Sequence, residues 1–185
     1  MGGLFTSFIS LFKTKKELRF LMVGLDRAGK STIVATMQIG KPVPAPVKPT
    51  IGFNLEEITF QSLKLKVWDI SGQERYRALW KHYYEGSNGI VFVIDCTDKE
   101  RIGEVRDEFH RVLIEQDLSY VRILVFANKQ DLPDAMNGKE IKAALGLGPE
   151  YESKVKIQES SAKNNTGLIE GFTWLVNEIE TKLSQ

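Results

Sequence analysis

Cysteine is nearly missing from this chain: Cys96 is the only one, so no intrachain disulfide can hold the fold. It follows an apolar run, where a thiol reads as a small buried side chain. A lone cysteine is compatible with a reducing compartment without proving one. Long apolar runs are missing too. None approaches the roughly 20 residues that span a bilayer. At the N-terminus the lysines follow the apolar stretch instead of preceding it, which is not the layout of a secretory leader. Nor is there an excess of one charge: 25 Lys and Arg against 24 Asp and Glu leave +1. No bulk field steers such a chain to nucleic acid or acidic partners. Repeats and low-complexity tracts are absent. What remains is the profile of one ordinary globular domain, long enough at 185 residues to bury a core.

The apolar pattern organises the chain. In residues 4–12 (LFTSFISLF), Leu4, Phe5, Phe8, Ile9, Leu11 and Phe12 share one helical face, and Thr6, Ser7, Ser10 and Lys13 the other. This predicts a short amphipathic helix, followed by Lys15 and Lys16. Strands are then expected at 17–24, 53–60, 63–69, 89–95, 122–128 and 155–160, and helices at 29–39, 100–116, 139–147 and 167–183. Little more than Gln61-Ser62 separates the second and third strands, which predicts an antiparallel hairpin. Leu63, Leu65 and Val67 alternate with Lys64 and Lys66, one face buried and one wet. Four of the six prolines fall in 40–50, a loop. Alternating strands and helices predict an α/β domain: a mostly parallel twisted sheet with helices on both faces. In such sheets ligands sit beyond the carboxyl ends of the strands, where each of the following motifs lies.

The first is Gly24-Leu-Asp-Arg-Ala-Gly29-Lys30-Ser31, a G-x-x-x-x-G-K-[ST] match that leaves a strand and opens a helix. Its glycines let backbone N–H groups wrap phosphates at a helix N-terminus. Lys30 is placed to reach the terminal phosphates, and Ser31 to ligate Mg²⁺. The second, Asn128-Lys129-Gln130-Asp131, supplies a carboxylate that can accept both N–H groups of guanine's Watson–Crick edge. Adenine has no such pair, so Asp131 would be left unpaired against it. The third, Asp69-Ile-Ser-Gly72-Gln73, offers an Asp for Mg²⁺ through water, a backbone N–H for the γ-phosphate and a Gln to orient the attacking water. Thr50, at the end of the Pro-rich loop, is a second candidate Mg²⁺ ligand. In the fourth, Ser160-Ser161-Ala162-Lys163, a backbone N–H can meet guanine O6. Alone, it reads as a turn. His82 and His110 lack metal-ligand spacing.

With these motifs in this order, the sequence resembles the ADP-ribosylation factor (ARF) family of small GTPases, a branch of the Ras superfamily. GLDRAGKST, PTIGFN, WDISGQ, NKQD and the SSAK loop cover nearly the whole chain. The resemblance implies a P-loop small-GTPase domain at 17–185 and an amphipathic membrane-binding segment at 1–16. It implies GTP or GDP with Mg²⁺, contacted by Gly24, Leu25, Asp26, Arg27, Ala28, Gly29, Lys30, Ser31 and Thr32. Thr50 and Gly72, in two switches at about 40–54 and 69–84, complete the phosphate side. Asn128, Lys129 and Asp131, with Ser161, Ala162 and Lys163, form the base side. Gln73, Lys30 and Gly72 are the implied catalytic groups, and Ser31, Thr50 and Asp69 (through water) hold the metal.

The family also implies partners: an exchange factor, a GTPase-activating protein, an effector, and a membrane surface in the GTP state, but no nucleic acid. The protein is then cytoplasmic and reversibly membrane-bound, and its hairpin slides when GTP replaces GDP. Phe53, Trp68 and Tyr83 match effector-contact positions; ordinary half-buried sheet aromatics are the other reading. Residues 69–84, with Ser71 where ARF proteins proper usually carry glycine, resemble the ARF-like branch that recruits the BBSome coat at cilia. General vesicle traffic is the alternative. Gly2 and Thr6 fit a myristoylation pattern, and residues 4–12 fit either a lipid surface or an apolar groove on the domain. In Ras-like relatives the position of Asp26 is glycine, so its side chain is expected to crowd the γ-phosphate and slow intrinsic hydrolysis. Arg27 reads as a solvent-pointing stem in preference to an arginine finger in cis. Two further classes compete, a GTP-loaded adaptor with negligible hydrolysis and a P-loop kinase or ATPase. Gln73 speaks against the first, which Asp26 allows, and NKQD against the second.

Overall fold

The computed structural model describes residues 17–44, 47–61, 63–115 and 121–183. The amphipathic segment at 4–12 and Gly2 lie outside them. Six strands run β1 Glu17–Val23, β2 Phe53–Phe60, β3 Leu63–Ile70, β4 Gly89–Asp95, β5 Arg122–Asn128 and β6 Val155–Glu159. Among the described residues five α-helices are interleaved: α1 Lys30–Ile39, α2 Glu74–Arg77, α3 Ile102–Glu115, α4 Gly138–Ala144 and α5 Leu168–Leu183. Single 3-10 turns cover Trp80–Tyr83 and Pro149–Tyr151. The strand order is β2-β3-β1-β4-β5-β6; β2 and β3 form the expected antiparallel hairpin, and all other pairings are parallel.

The side-chain alternation of the strands sorts the core into two layers. Leu18, Phe20 and Met22 of β1 pack with Ile33 and Val34 of α1 and with Leu168, Phe172, Leu175 and Ile179 of α5. Leu21 and Val23 face the other way, toward Val105, Phe109 and Val112 of α3 and Ile141 beside it on α4. Helices therefore cover both faces, which is why β4 and β5 are apolar between their ends, at 89–94 and 123–127. In the hairpin the burial of Leu63, Leu65 and Val67 alternates with half-exposed Lys64 and Lys66, as the sequence predicts. Cys96 is fully buried, and burial raises its thiol pKa to about 12.

Two short helical pieces between β3 and β4 are not announced by the apolar pattern. α2 and the turn at Trp80–Tyr83 have four residues each, too few for a helical period to show.

The connections place the site. From β1 the chain crosses to β2 and β3 on one side, then returns to β4 on the other, so the order reverses around β1. That is the switch point where open α/β sheets bind ligands. The register brings Val23, Ile70, Asp95, Asn128 and Glu159 to the same end of the sheet.

On the α5 side the ring of Phe172 lies 5.6 Å from Phe126 and 6.2 Å from both Phe20 and Phe60. Phe172→Ala is expected to destabilise the fold by about 3–5 kcal/mol, the usual cost of a large buried cavity. Denaturant unfolding at fixed GDP and Mg²⁺ checks this, since ligand concentration shifts apparent stability.

Candidate nucleotide site

β1 is followed by Gly24 at φ 136°, and a Cβ there would stand 2.2 Å from the Val93 carbonyl oxygen. Only glycine permits that approach. The turn continues through Arg27 at φ 63° to Gly29 and the start of α1. Among the described residues no side chain caps α1, and its first turn holds no acid. Its leading N–H groups are thus available to an anion. Lys30 is buried under this turn and its Nζ donates to Gly24 O and Leu25 O, both at 2.9 Å. Burial lowers its pKa to about 8, opposed by the Asp69 and Asp26 carboxylates and assisted by Arg77.

Three oxygens from three elements meet beside it. Ser31 Oγ, from α1, donates to Asp69 Oδ2 at the end of β3 at 2.5 Å. Thr50 Oγ1, from the Pro-rich loop, lies 2.8 Å from Ser31 Oγ and 3.1 Å from Asp69 Oδ2. Asp69 is buried, and its Oδ1 has no hydrogen-bond partner among the described residues. Burial raises its pKa, against the hydrogen bonds from Ser31 and Thr50 and the charge of Lys30. A carboxylate with an orphaned oxygen beside two hydroxyls is a hard-oxygen donor set that suits Mg²⁺. Ser31, Thr50 and Asp69 are the residues that would hold it; a bound Mg²⁺ supplies charge neutralisation at phosphate oxygens.

Gly72 lies directly against the first loop: a Cβ there would be 2.2 Å from the Leu25 carbonyl carbon and 2.3 Å from Asp26 N. The Gln73 carboxamide next to it accepts from Arg75 Nε at 3.2 Å. Lys30, Ser31, Thr32, Thr50, Gly72 and Gln73 line one cavity of about 430 Å³. Gly29, Thr32 and Lys129 border both this cavity and a second one of about 240 Å³.

Asn128, Asp131, Leu132, Ala162 and Lys163 complete the second cavity. Asp131 Oδ1 accepts from Ser161 Oγ at 2.7 Å, and Lys163 Nζ is 3.8 Å from Oδ2. Lys129, at φ 68°, extends its Nζ to Asp95 Oδ2 at 2.5 Å. Asn128 is a brace: its Nδ2 donates to Ala28 O at 2.9 Å, and its Oδ1 accepts from Ala162 N at 3.0 Å. One buried side chain thus ties the phosphate loop, β5 and the last loop together.

The chain that carries these joined loops matches the family model described as Arf: ADP-ribosylation factor family, over residues 4–179. The chain belongs to the ADP-ribosylation factor family. It is similar to ADP-ribosylation factors J and K of Dictyostelium discoideum, each 46% identical over 182 residues, 98% of this chain and 96% of the relative. Among solved structures it is similar to the Arl6 BBS3 small GTPase from Trypanosoma brucei with bound nucleotide analogue GppNp. That match has a TM-score of 0.81 and 30% identity, covering 90% of this chain and 99% of the other. This ARF-family protein is a small GTPase: a GTP-binding switch that takes GTP or GDP with Mg²⁺ and hydrolyses GTP. ARF-family GTPases work with exchange factors, activating proteins and effectors and associate reversibly with membranes. No helix among the described residues is long and apolar enough to cross one.

Asp26 lines the phosphate-side cavity, and its Oδ1 accepts from Arg101 Nη1 at 2.7 Å, just ahead of α3. Burial alone would raise the Asp26 pKa, but the hydrogen bond and charge of Arg101 hold it below the usual value. Arg101 is itself gripped by Asp98, which also accepts its backbone N–H. Arg27 is solvent-pointing, its side chain 85% exposed. Arg101 and Asp95, which hold Asp26 and Lys129, are partners of the candidate site residues that the sequence pattern does not announce. Asp98 three residues before Arg101 is a helix-start signal, but nothing in the pattern connects Arg101 to Asp26, 75 residues away.

Two outcomes follow from these contacts. Asn128→Ala orphans two buried backbone groups, at about 1–3 kcal/mol each, so GDP and GTP affinity should fall together by about 10- to 100-fold, read by competition binding. Arg101→Ala frees the Asp26 carboxylate beside the phosphates. The pair is about one-third exposed, so the expected loss of nucleotide affinity is smaller, about two- to fivefold.

Proposed function

We propose that this GTPase captures an effector coat in its GTP state and brings it to a membrane surface, with the BBSome at the base of cilia as the coat. The observation that carries the reading is an aromatic cluster close in the chain to two candidate metal ligands, Thr50 and Asp69: Phe53 on β2, Trp68 on β3 and Tyr83 on the 3-10 turn that follows. The rings of Phe53, Trp68 and Tyr83 lie 5.1–5.5 Å apart. Phe53 follows Thr50 by three residues and is 46% exposed; Trp68 directly precedes Asp69. Any change that moves Thr50 or Asp69 therefore moves the cluster. Exposed Ile51 and Leu55 extend its apolar surface, and large clustered aromatics are typical interface anchors.

In this reading Lys30 meets the terminal phosphates, the Gly72 N–H meets the γ-phosphate, Gln73 orients the attacking water, and Asp131 reads guanine. Residues 1–16 are the membrane-binding segment and 17–185 the GTPase domain. Myristoyl at Gly2 would add one marginal anchor to the apolar face of 4–12. The ciliary assignment is supported by residues 69–84 and by the likeness to the Arl6 BBS3 structure. The higher identity to ADP-ribosylation factors J and K favours a second reading, general vesicle transport.

The deciding experiment is capture of the BBSome subunit that binds small GTPases, with GDP and with a non-hydrolysable GTP analogue. Binding only with the analogue is expected. Phe53→Ala should cut it at least about 30-fold, the size of an interface hot spot, with intrinsic hydrolysis unchanged. Absence of binding in both states, with guanine-nucleotide affinity intact, overturns the ciliary assignment in favour of vesicle transport.

A further inference from the structure

The Gly72 N–H is flanked by two carbonyls, and each is held by a side chain from outside the nucleotide motifs. Ser71 O accepts from the Trp80 indole Nε1 at 3.2 Å. This oxygen belongs to the same peptide unit as the Gly72 N–H. The unit is planar and trans, so its N–H points opposite to its carbonyl, and holding the oxygen aims the N–H. On the other side, Gly72 O accepts from Arg77 Nε at 2.9 Å. That contact sets the plane of the next peptide, whose Gln73 N–H faces Ser71 Oγ at 3.4 Å.

Neither donor is loose. Trp80 is 2% exposed and packs edge-on against Phe92, centroids 6.4 Å apart at 87°. The Arg77 side chain is 8% exposed, with Nη1 2.6 Å from Glu104 and 3.4 Å from Glu108 on α3. Arg111 grips Glu108 in turn at 2.8 Å. A buried arginine spending Nε on one backbone oxygen and Nη1 on two carboxylates uses its fork to fix an orientation.

We propose that Trp80 and Arg77 are positioning residues for γ-phosphate recognition. They aim the peptide planes on either side of Gly72 and anchor that aim to β4 and α3. The proposal rests on the reading that Gly72 N–H meets the γ-phosphate. GDP has no γ-phosphate, so their removal falls on the GTP state alone, whereas a residue that merely supports the fold affects both nucleotides.

The test compares GDP and a non-hydrolysable GTP analogue by competition binding in Mg²⁺, with single-turnover hydrolysis of bound GTP alongside. Trp80→Phe keeps a ring against Phe92 and loses the indole N–H. Arg77→Lys keeps a cation beside Glu104 and Glu108 but has one nitrogen where Arg77 uses two. Each should weaken the analogue relative to GDP by about tenfold, the worth of one well-placed hydrogen bond, and slow hydrolysis by a similar factor. Gly72→Ala, which forces a Cβ into the first loop, should abolish the preference for the analogue. An unchanged preference in Gly72→Ala removes the γ-phosphate contact itself, and the proposal with it. A normal Gly72→Ala result, with Trp80→Phe and Arg77→Lys weakening both nucleotides equally or neither, overturns the positioning role while leaving the Gly72 contact standing. Trp80→Phe carries the comparison should Arg77→Lys not fold.

Discussion

The buried carboxylate of Asp69 is the constraint on which the site depends. One of its oxygens draws together Ser31 of the phosphate loop and Thr50 of the Pro-rich loop; the other has no partner among the described residues. Placing a carboxylate out of water costs several kcal/mol unless charge and hydrogen bonds compensate. Lys30, buried close by, compensates in part and raises a matching problem, since its own burial disfavours its charge. Both groups are thus better satisfied in the presence of a cation and an anion, which is what magnesium and a nucleotide phosphate bring. The chain uses poorly solvated charges as a demand for ligand, and the contact of Thr50 with Asp69 is part of that demand.

The second organising contact is Asn128. Phosphate and base are recognised by loops from β1, β5 and β6, and independent wobble of these loops would spoil both. The brace from Ala28 O through the Asn128 amide to Ala162 N makes them one body. Arg101 holds Asp26 to the start of α3 on the opposite flank. On the base side the buried amide of Asn128 joins the loops; on the phosphate side the joints are the hydroxyl contacts of Ser31 and Thr50 to Asp69 and the ion pair of Arg101 with Asp26.

Much of this was legible in the sequence, for identifiable reasons. Every strand announced itself by apolar runs or by alternation, and the hairpin by a two-residue connection. Loop glycines, Lys30, Ser31, Asp69 and Asp131 are legible because their spacing follows from phosphate, metal and base chemistry. Asn128 was legible as a site residue but not as a brace, because its partners are backbone atoms, which carry no side-chain signature. Arg77, Trp80 and Arg101 were not legible in their roles. Arg101 and Glu104 find their partners across sequence gaps that only the fold closes, and α2 is too short to show a period.

The pleat of the hairpin carries a consequence for how a signal can travel. Leu63, Leu65 and Val67 face the core while Lys64 and Lys66 face water. A hairpin that slides along β1 by one residue would bury the lysines and expose the leucines. Only even steps keep the faces, and the smallest, two residues, is about 6.6 Å at the usual strand rise. Any such movement of the hairpin would come in discrete steps, with the alternation of leucine and lysine setting their size.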